Sequence, residues 1–207
     1  MQVAIVKYNA GNIYSVVNAL RRLGVEPVVT DEAEVLTGAD RIIFPGQGEA
    51  GHCMQYLRER SLDRLIKDLR QPVLGICIGQ QLMCRHSEEG DTDCIGIFDV
   101  DVRRFQPLRH EDKVPAMGWN ELSLPVENMD WLYTKTAESG IVDSTPFVYF
   151  LHSYYVPICE WTAATANYIL PYSAALHKDN FYATQFHPEK SGKTGEQIIK
   201  NFLNLKV

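Results

Sequence analysis

The sequence has little of what would mark a secreted, membrane-bound or nucleic-acid-binding chain. Its five cysteines are an odd number and include no Cys-x-x-Cys pair, which speaks against a disulfide framework and for a reducing compartment. Neither His52-Cys53 nor the interval from Cys77 to Cys84 has zinc-ligand spacing, so no metal is expected. No stretch approaches the ~18 apolar residues that a membrane span requires. The apolar start, Val3 to Val6, is too short for a signal-peptide core. Basic residues are in the minority, 20 Lys and Arg against 26 Asp and Glu for a net charge of -6, and they form no cluster that would attract a phosphate backbone. Together these absences predict a cytoplasmic chain with no membrane and no nucleic-acid partner. There is also no internal repeat, low-complexity tract or linker, so residues 1–207 read as one domain, long enough to bury a sheet-plus-helix core.

What is present is an alternation of short apolar runs and amphipathic stretches in the first half, the pattern of parallel strands joined by helical crossovers. Val3 to Val6 reads as a buried strand. Ile13, Val16, Val17, Leu20 and Leu23 share one helical face, and Gly24 stands where a left-handed C-terminal cap belongs. Val28-Val29, Ile42 to Phe44 and Val73 to Ile76 read as further strands, and Ser61 to Leu69 as a helix with Ser61 at its N-cap. Right-handed crossovers place these strands in one parallel sheet. After about Ile97 the chain becomes strand-rich, with Val100 to Val102, Phe147 to Tyr155, Trp161 to Ala166 and Phe181 to Phe186 as strand candidates. A last helix is expected over roughly Thr194 to Leu205. The fold class is α/β, a doubly wound and mostly parallel sheet flanked by helices, with a strand-rich C-terminal half.

The run Val73-Leu74-Gly75-Ile76-Cys77-Ile78-Gly79-Gln80-Gln81 sets a cysteine between two glycines where an apolar strand hands over to a helix. A sharp strand-to-helix turn strains the nucleophile's backbone and brings other backbone close, so glycine two residues to either side avoids a clash. The thiol then meets a helix N-terminus, whose partial positive charge favours thiolate. A buried structural cysteine is the plain alternative, and it is the reading for Cys53, Cys84, Cys94 and Cys159, which lack this setting.

Near the C-terminus an apolar strand ends in His187-Pro188-Glu189. Pro188 biases His187 to extended geometry. In extended chain the side chains of His187 and Glu189 point the same way from Cα atoms roughly 7 Å apart. That supplies a base and a carboxylate to orient it, the remaining members of a nucleophile-base-orienter triad with Cys77. A surface turn would also use these residues. A third feature, Pro45-Gly46-Gln47-Gly48, follows the Ile42 to Phe44 strand; its glycines leave the Gln47 peptide free, so that its N-H and that of Ile78 could donate to an oxyanion. An ordinary turn remains the alternative.

These features together resemble the class I, triad-type glutamine amidotransferases, which share the Cys elbow, a Pro-Gly oxyanion loop and a terminal His-x-Glu. Within that class the segments Tyr8 to Ile13, Lys113 to Asn120, Phe150 to Tyr155 and Gln185 to Gly192 are similar to the glutaminase subunits of imidazole glycerol phosphate synthases, and they span the chain. The Met117-Gly118-Trp119-Asn120 and His152-Ser153-Tyr154-Tyr155 stretches separate these subunits from relatives serving other synthases. Three positions depart from the pattern: Asn9 and Gln47, and Ala116 where His or Gln is common.

The resemblance implies hydrolysis of glutamine to glutamate and ammonia through Cys77, His187 and Glu189, with a thioester intermediate and no metal or organic cofactor. It implies glutamine contacts from Gly48, Gln81, Glu89, Ser153 and Tyr154, and a surface including Asn12, Trp119 and Lys190 that meets a separate cyclase subunit, the two forming a heterodimer. His152 is expected to shape its strand rather than act as base. A cysteine hydrolase acting on γ-glutamyl or peptide bonds would use the same triad but would not need the Met-Gly-Trp-Asn segment. A glutaminase subunit of another synthase is a further alternative. A catalytically silent regulatory subunit would have lost one of the three triad residues, and all three are present.

Overall fold

Three of the first four strands are fully buried, the exception being Val28–Thr30 with Val28 and Val29 exposed, and alternate residues of the buried three enter two different cores. In β1 (Val3–Val6), Val3 and Ile5 join one hydrophobic cluster, and Ala4 and Val6 the other. The same split recurs in β3 (Arg41–Phe44), between Ile43 and the pair Ile42 and Phe44, and in β4 (Val73–Ile76), between Leu74 with Ile76 and Val73. A sheet buried on both faces needs helices on both sides, and this period-two partition is the physical content of double winding. The computed structural model describes residues 1–8, 13–124, 131–132 and 146–206.

One face is covered by α1 (Ile13–Arg22) and α6 (Gly192–Leu203). The other is covered by α2 (Ala33–Gly38), α3 (Ala50–Glu59) and α4 (Leu62–Asp68). In α1 the buried residues are Val16, Val17, Ala19 and Leu20. The helix ends as expected: Gly24 has φ +77°, its N-H donates to the Arg21 carbonyl, and the Val25 N-H reaches back to the Leu20 carbonyl, the paired bonds of a Schellman cap. Ser61 does precede α4, but with φ 56° and no side-chain capping bond. Its place in the chain matches an N-cap, but the hydrogen bond that defines the cap is not made.

Among the described residues the main sheet has strand order β11 (Thr162–Tyr168), β12 (Leu170–Lys178), β13 (Phe181–Thr184), β4, β3, β1 and β2 (Val28–Thr30). The pairings β13-β4, β4-β3, β3-β1 and β1-β2 are parallel, whereas β11-β12 and β12-β13 are antiparallel. After β4 comes the short helix α5 (Ile78–Met83). Beside this sheet, β5 (Cys84–Ser87), β6 (Thr92–Asp93), β7 (Phe98–Arg104) and β10 (Tyr154–Tyr155) form a second sheet, and β8 (Ala116–Glu121) pairs antiparallel with β9 (Phe147–His152) in a two-stranded ribbon. Phe147 to Tyr155, expected as one strand, is therefore two. The break falls at Ser153, whose carbonyl accepts from the Phe105 N-H. Beyond it the chain leaves the ribbon for the second sheet.

Candidate active site

The topology sets three of the sequence features side by side. Strands β13, β4 and β3 are neighbours, with Thr184 opposite Ile76 and Phe44 opposite Gly75, so their C-terminal ends are level. His187 follows the first, Cys77 the second and the Pro45 loop the third. In an open parallel sheet this edge is where ligands bind.

Cys77 has φ 53° and ψ -107°, a conformation that non-glycine residues avoid and that persists only where the surroundings impose it. Its N-H is held by the Thr184 carbonyl at 2.7 Å, tying the elbow to β13. The flanking glycines are needed as expected. A Cβ on Gly75 would lie 3.0 Å from the Gly79 carbonyl, and one on Gly79 would collide with the Phe44 carbonyl. Cys77 lines a cavity and is only 7% exposed. Ile78 opens α5, so its N-H has no intrahelical partner. On the loop, Gly46 is packed under the Ile78 side chain and the Tyr8 hydroxyl with no room for a Cβ. The Tyr8 hydroxyl donates to the Pro45 carbonyl, and burial pushes its phenol pKa well up, which keeps it a donor.

His187 and Glu189 do meet, but not by the extended i, i+2 geometry. His187 is extended at φ -97°, ψ 95°, and Pro188–Lys190 is then a 3-10 turn. Proline's fixed φ suits the first position of such a turn, which folds the Glu189 carboxylate back to accept from His187 Nδ1 at 2.8 Å. Both side chains are almost completely buried. The Ser191 hydroxyl donates to the His187 carbonyl at 2.6 Å, and the His187 N-H reaches the Tyr149 carbonyl at 2.9 Å. Burial alone would lower the imidazole pKa. The Cys77 sulfur and the Glu189 carboxylate beside it outweigh that and hold it well above its ordinary value. Nε2, the nitrogen not held by Glu189, is buried with no hydrogen-bond partner among the described residues. A ring so placed can take a proton from the thiol and keep it.

A cavity of about 370 Å³ opens above Cys77, lined by Gln47, Gly48, Ile78, Gln81, Glu89, Ser153 and Tyr154, with Pro115, Leu151 and His152 completing the wall. All the expected substrate contacts thus line one space. Glu89 is the only carboxylate among them. It accepts from the Ala50 N-H at 2.9 Å, and burial raises its pKa. Gln81 donates through Nε2 to the Tyr154 carbonyl at 3.1 Å and to Gln185 Oε1 at 2.9 Å. His152 is buried, and its Nδ1 bonds the Tyr154 carbonyl at 2.7 Å. Burial pushes this imidazole down to about 4, so at neutral pH it is an uncharged wall residue. The thiols of Cys53 and Cys94 are pushed up to about 12 by burial, and that of Cys84 is also raised, so these are poor nucleophiles.

Trp119 and Lys190 lie outside the cavity and pack around one residue. Trp119 meets the Tyr149 ring edge-on at 6.1 Å, and Lys190 Nζ sits 6.0 Å over the same ring. Trp119 is 57% exposed and is not a core residue. Asn9 and Asn12 lie outside the described residues. Sequence reasoning passed over Gln185, Pro115 and Leu151. Gln185 carried a usable signal, since it stands two residues before His187 in the strand expected over Phe181 to Phe186, where alternate residues share a face.

Residues 4–205 match the family model for glutamine amidotransferase class-I. The imidazole glycerol phosphate synthase subunit HisH of Bacteroides thetaiotaomicron is 62% identical over 99% of this chain and 100% of its own length, and that of Pectobacterium atrosepticum is 43% identical over the same shares. Among solved structures, a glutamine amidotransferase aligns at 18% identity with TM-score 0.72, covering 98% of this chain and 97% of that one. The structure of PurLQS from Thermotoga maritima aligns at 16% identity with TM-score 0.64 and the same shares. The two structures speak to the fold, and the family model and the relatives' full-length identity settle descent: the chain belongs to the class-I glutamine amidotransferase family.

Proposed function

We propose that this chain is the glutamine amidotransferase subunit of an imidazole glycerol phosphate synthase, acting in histidine biosynthesis. In this reading it hydrolyses glutamine to glutamate and ammonia in the cytoplasm and passes the ammonia to a separate cyclase subunit. The observation that carries the chemistry is the meeting of Cys77, the Glu189-held His187 and the Pro45 loop at one sheet edge, beside a cavity of about 370 Å³.

The Cys77 sulfur attacks the glutamine γ-carbonyl carbon while His187 holds the thiol proton. The N-H groups of Gln47 and Ile78 receive the oxyanion, a contribution of about 3 to 4 kcal/mol per donor. Collapse of the tetrahedral adduct breaks the C-N bond, His187 protonates the departing ammonia, and a thioester remains. Water, deprotonated by the now neutral His187, hydrolyses the thioester to glutamate and restores the thiol. Glu89 faces the substrate α-ammonium, and the backbone of Ser153 and Tyr154 takes the α-carboxylate. No cofactor is required. The exposed Trp119, with Lys190 and Asn12, belongs to the cyclase-facing surface.

A glutamine-mimicking diazo-ketone tests the assignment. The expected result is a single adduct on Cys77, located by peptide mapping and prevented by excess glutamine. Labelling of Cys53 or Cys84 with Cys77 untouched would sink it.

A further inference from the structure

The amide of Gln185 is completely buried, and both of its ends are committed. Its Oε1 accepts from Gln81 Nε2 at 2.9 Å, and its own Nε2 lies 3.7 Å from Cys77 Sγ. Which end faces the sulfur is decided by chemistry. The Tyr154 carbonyl can only accept, so the Gln81 atom 3.1 Å from it must be the NH2 group. The second hydrogen of that NH2 then needs an acceptor, which makes Gln185 turn its oxygen to Gln81 and its NH2 to the sulfur. One unambiguous carbonyl thus orients two amides in series and ends in a donor aimed at Cys77.

The sulfur also lies 3.7 Å from the Leu151 carbonyl. A thiol can donate to that carbonyl, but a thiolate cannot and is repelled by its lone pairs. When the proton leaves for His187, the Gln185 N-H is the group that compensates, and a hydrogen bond to the charged form favours that form. We propose that Gln185 is a positioning residue that holds the Cys77 sulfur as a thiolate through its side-chain N-H, oriented for this by the Tyr154-Gln81 chain. The proposal rests on the reading of Cys77 as nucleophile. It also links the two halves of the site, because Gln81 and Tyr154 line the glutamine cavity while Gln185 lies behind it.

The decisive variant is Gln185→Glu, which keeps the size of the side chain and the oxygen facing Gln81 but turns an oxygen toward the sulfur. Gln185→Met, which only removes the donor, carries the test if the first does not fold. The full chain is treated with iodoacetamide across pH, the Cys77 adduct is quantified by mass mapping, and glutamine hydrolysis is measured in the same preparations. Expected for Gln185→Glu is an upward displacement of the alkylation profile by about one pH unit and a fall in kcat of about tenfold, with KM changed less than about threefold. Gln185→Met should move both in the same direction by less. An unmoved alkylation profile in a folded variant overturns the proposal, as does a loss of activity carried by KM alone. Wild-type Cys77 that is neither alkylated nor protected by glutamine would instead overturn the nucleophile assignment, before any variant is made.

Discussion

At the C-terminal edge of β13, β4 and β3 the side chains of Gln81, Gln185, His187 and Glu189 are polar and buried, whereas on the β8-β9 ribbon Met117, Trp119 and Phe147 are apolar and exposed. In the first region the groups hold one another in place, although His187 Nε2 and Glu189 Oε2 have no hydrogen-bond partner among the described residues. Glu189 holds His187, Gln81 holds Gln185, and the backbone of Thr184 holds Cys77. In the second, three large apolar side chains stand in water on a ribbon too small for independent stability. Each of these buried side chains is tied to at least one partner within the chain, which offsets part of the cost of burying it. Large apolar side chains left exposed are where an outside partner would bind. The groups at the sheet edge are thus held from within the chain, whereas the ribbon leaves large apolar side chains exposed.

The sharpest way to break this contrast is Cys77→Ala. In the assembled complex, glutamine-dependent product formation should fall by at least about 10³-fold, because no neighbouring group can replace the nucleophile. Formation from added ammonium at a pH giving free ammonia should stay near wild type. Near wild-type turnover from glutamine would refute the edge as the reacting centre. Next in size, Glu189→Gln should lower kcat about 10²- to 10⁴-fold by releasing the His187 tautomer and removing the opposite charge that supports imidazolium. It should also slow Cys77 alkylation at neutral pH, and an unchanged alkylation rate would show the carboxylate to be structural only.

His152 tests whether the buried region is acid-sensitive as a unit. Its imidazole is held down to about 4 in the fold against an ordinary 6.5, so between these values the unfolded chain binds more protons than the native one. Stability from this group is fully present above about pH 6.5 and is lost as pH falls toward 4, amounting to roughly 2 to 4 kcal/mol. Urea midpoints at pH 5 and pH 7 should therefore differ less in His152→Phe than in wild type. Equal differences would dismiss the effect. The smallest expected effect is on the ribbon. Trp119→Ala should change unfolding free energy by under about 1 kcal/mol, since the ring is largely exposed, while weakening binding to the cyclase subunit by about 1 to 3 kcal/mol. Calorimetric titration against the partner decides this, and unchanged affinity would remove Trp119 from the interface.

Local pattern was enough wherever a feature depends on nearest neighbours along the chain. The β1 and β4 boundaries, the Gly24 cap and the glycine-flanked elbow were all readable. Each reflects a period, a cap or a steric need that lies within a few residues. Other elements were hidden by their composition. In α3 the buried set Ala50, Cys53, Met54 and Leu57 does follow a helical period, but Gly51 and His52 interrupt its apolar appearance. Strand β12 is buried at Tyr172 through Leu176, on both faces, so no alternation marks it, and Pro171 argues against it locally.

The choice of residues for the site was written along the chain: a strained cysteine between glycines, a histidine and glutamate two positions apart, a glycine-rich loop. Their assembly was not. Only long-range pairing makes β13, β4 and β3 neighbours with level ends, and only the 3-10 turn at Pro188 brings the Glu189 carboxylate onto Nδ1. The direction of the Gln185 amide is decided still further away, at the Tyr154 carbonyl. Hydrogen bonds between segments distant in sequence carry that information, because an amide or an imidazole has no orientation of its own until a fixed acceptor or donor is placed beside it.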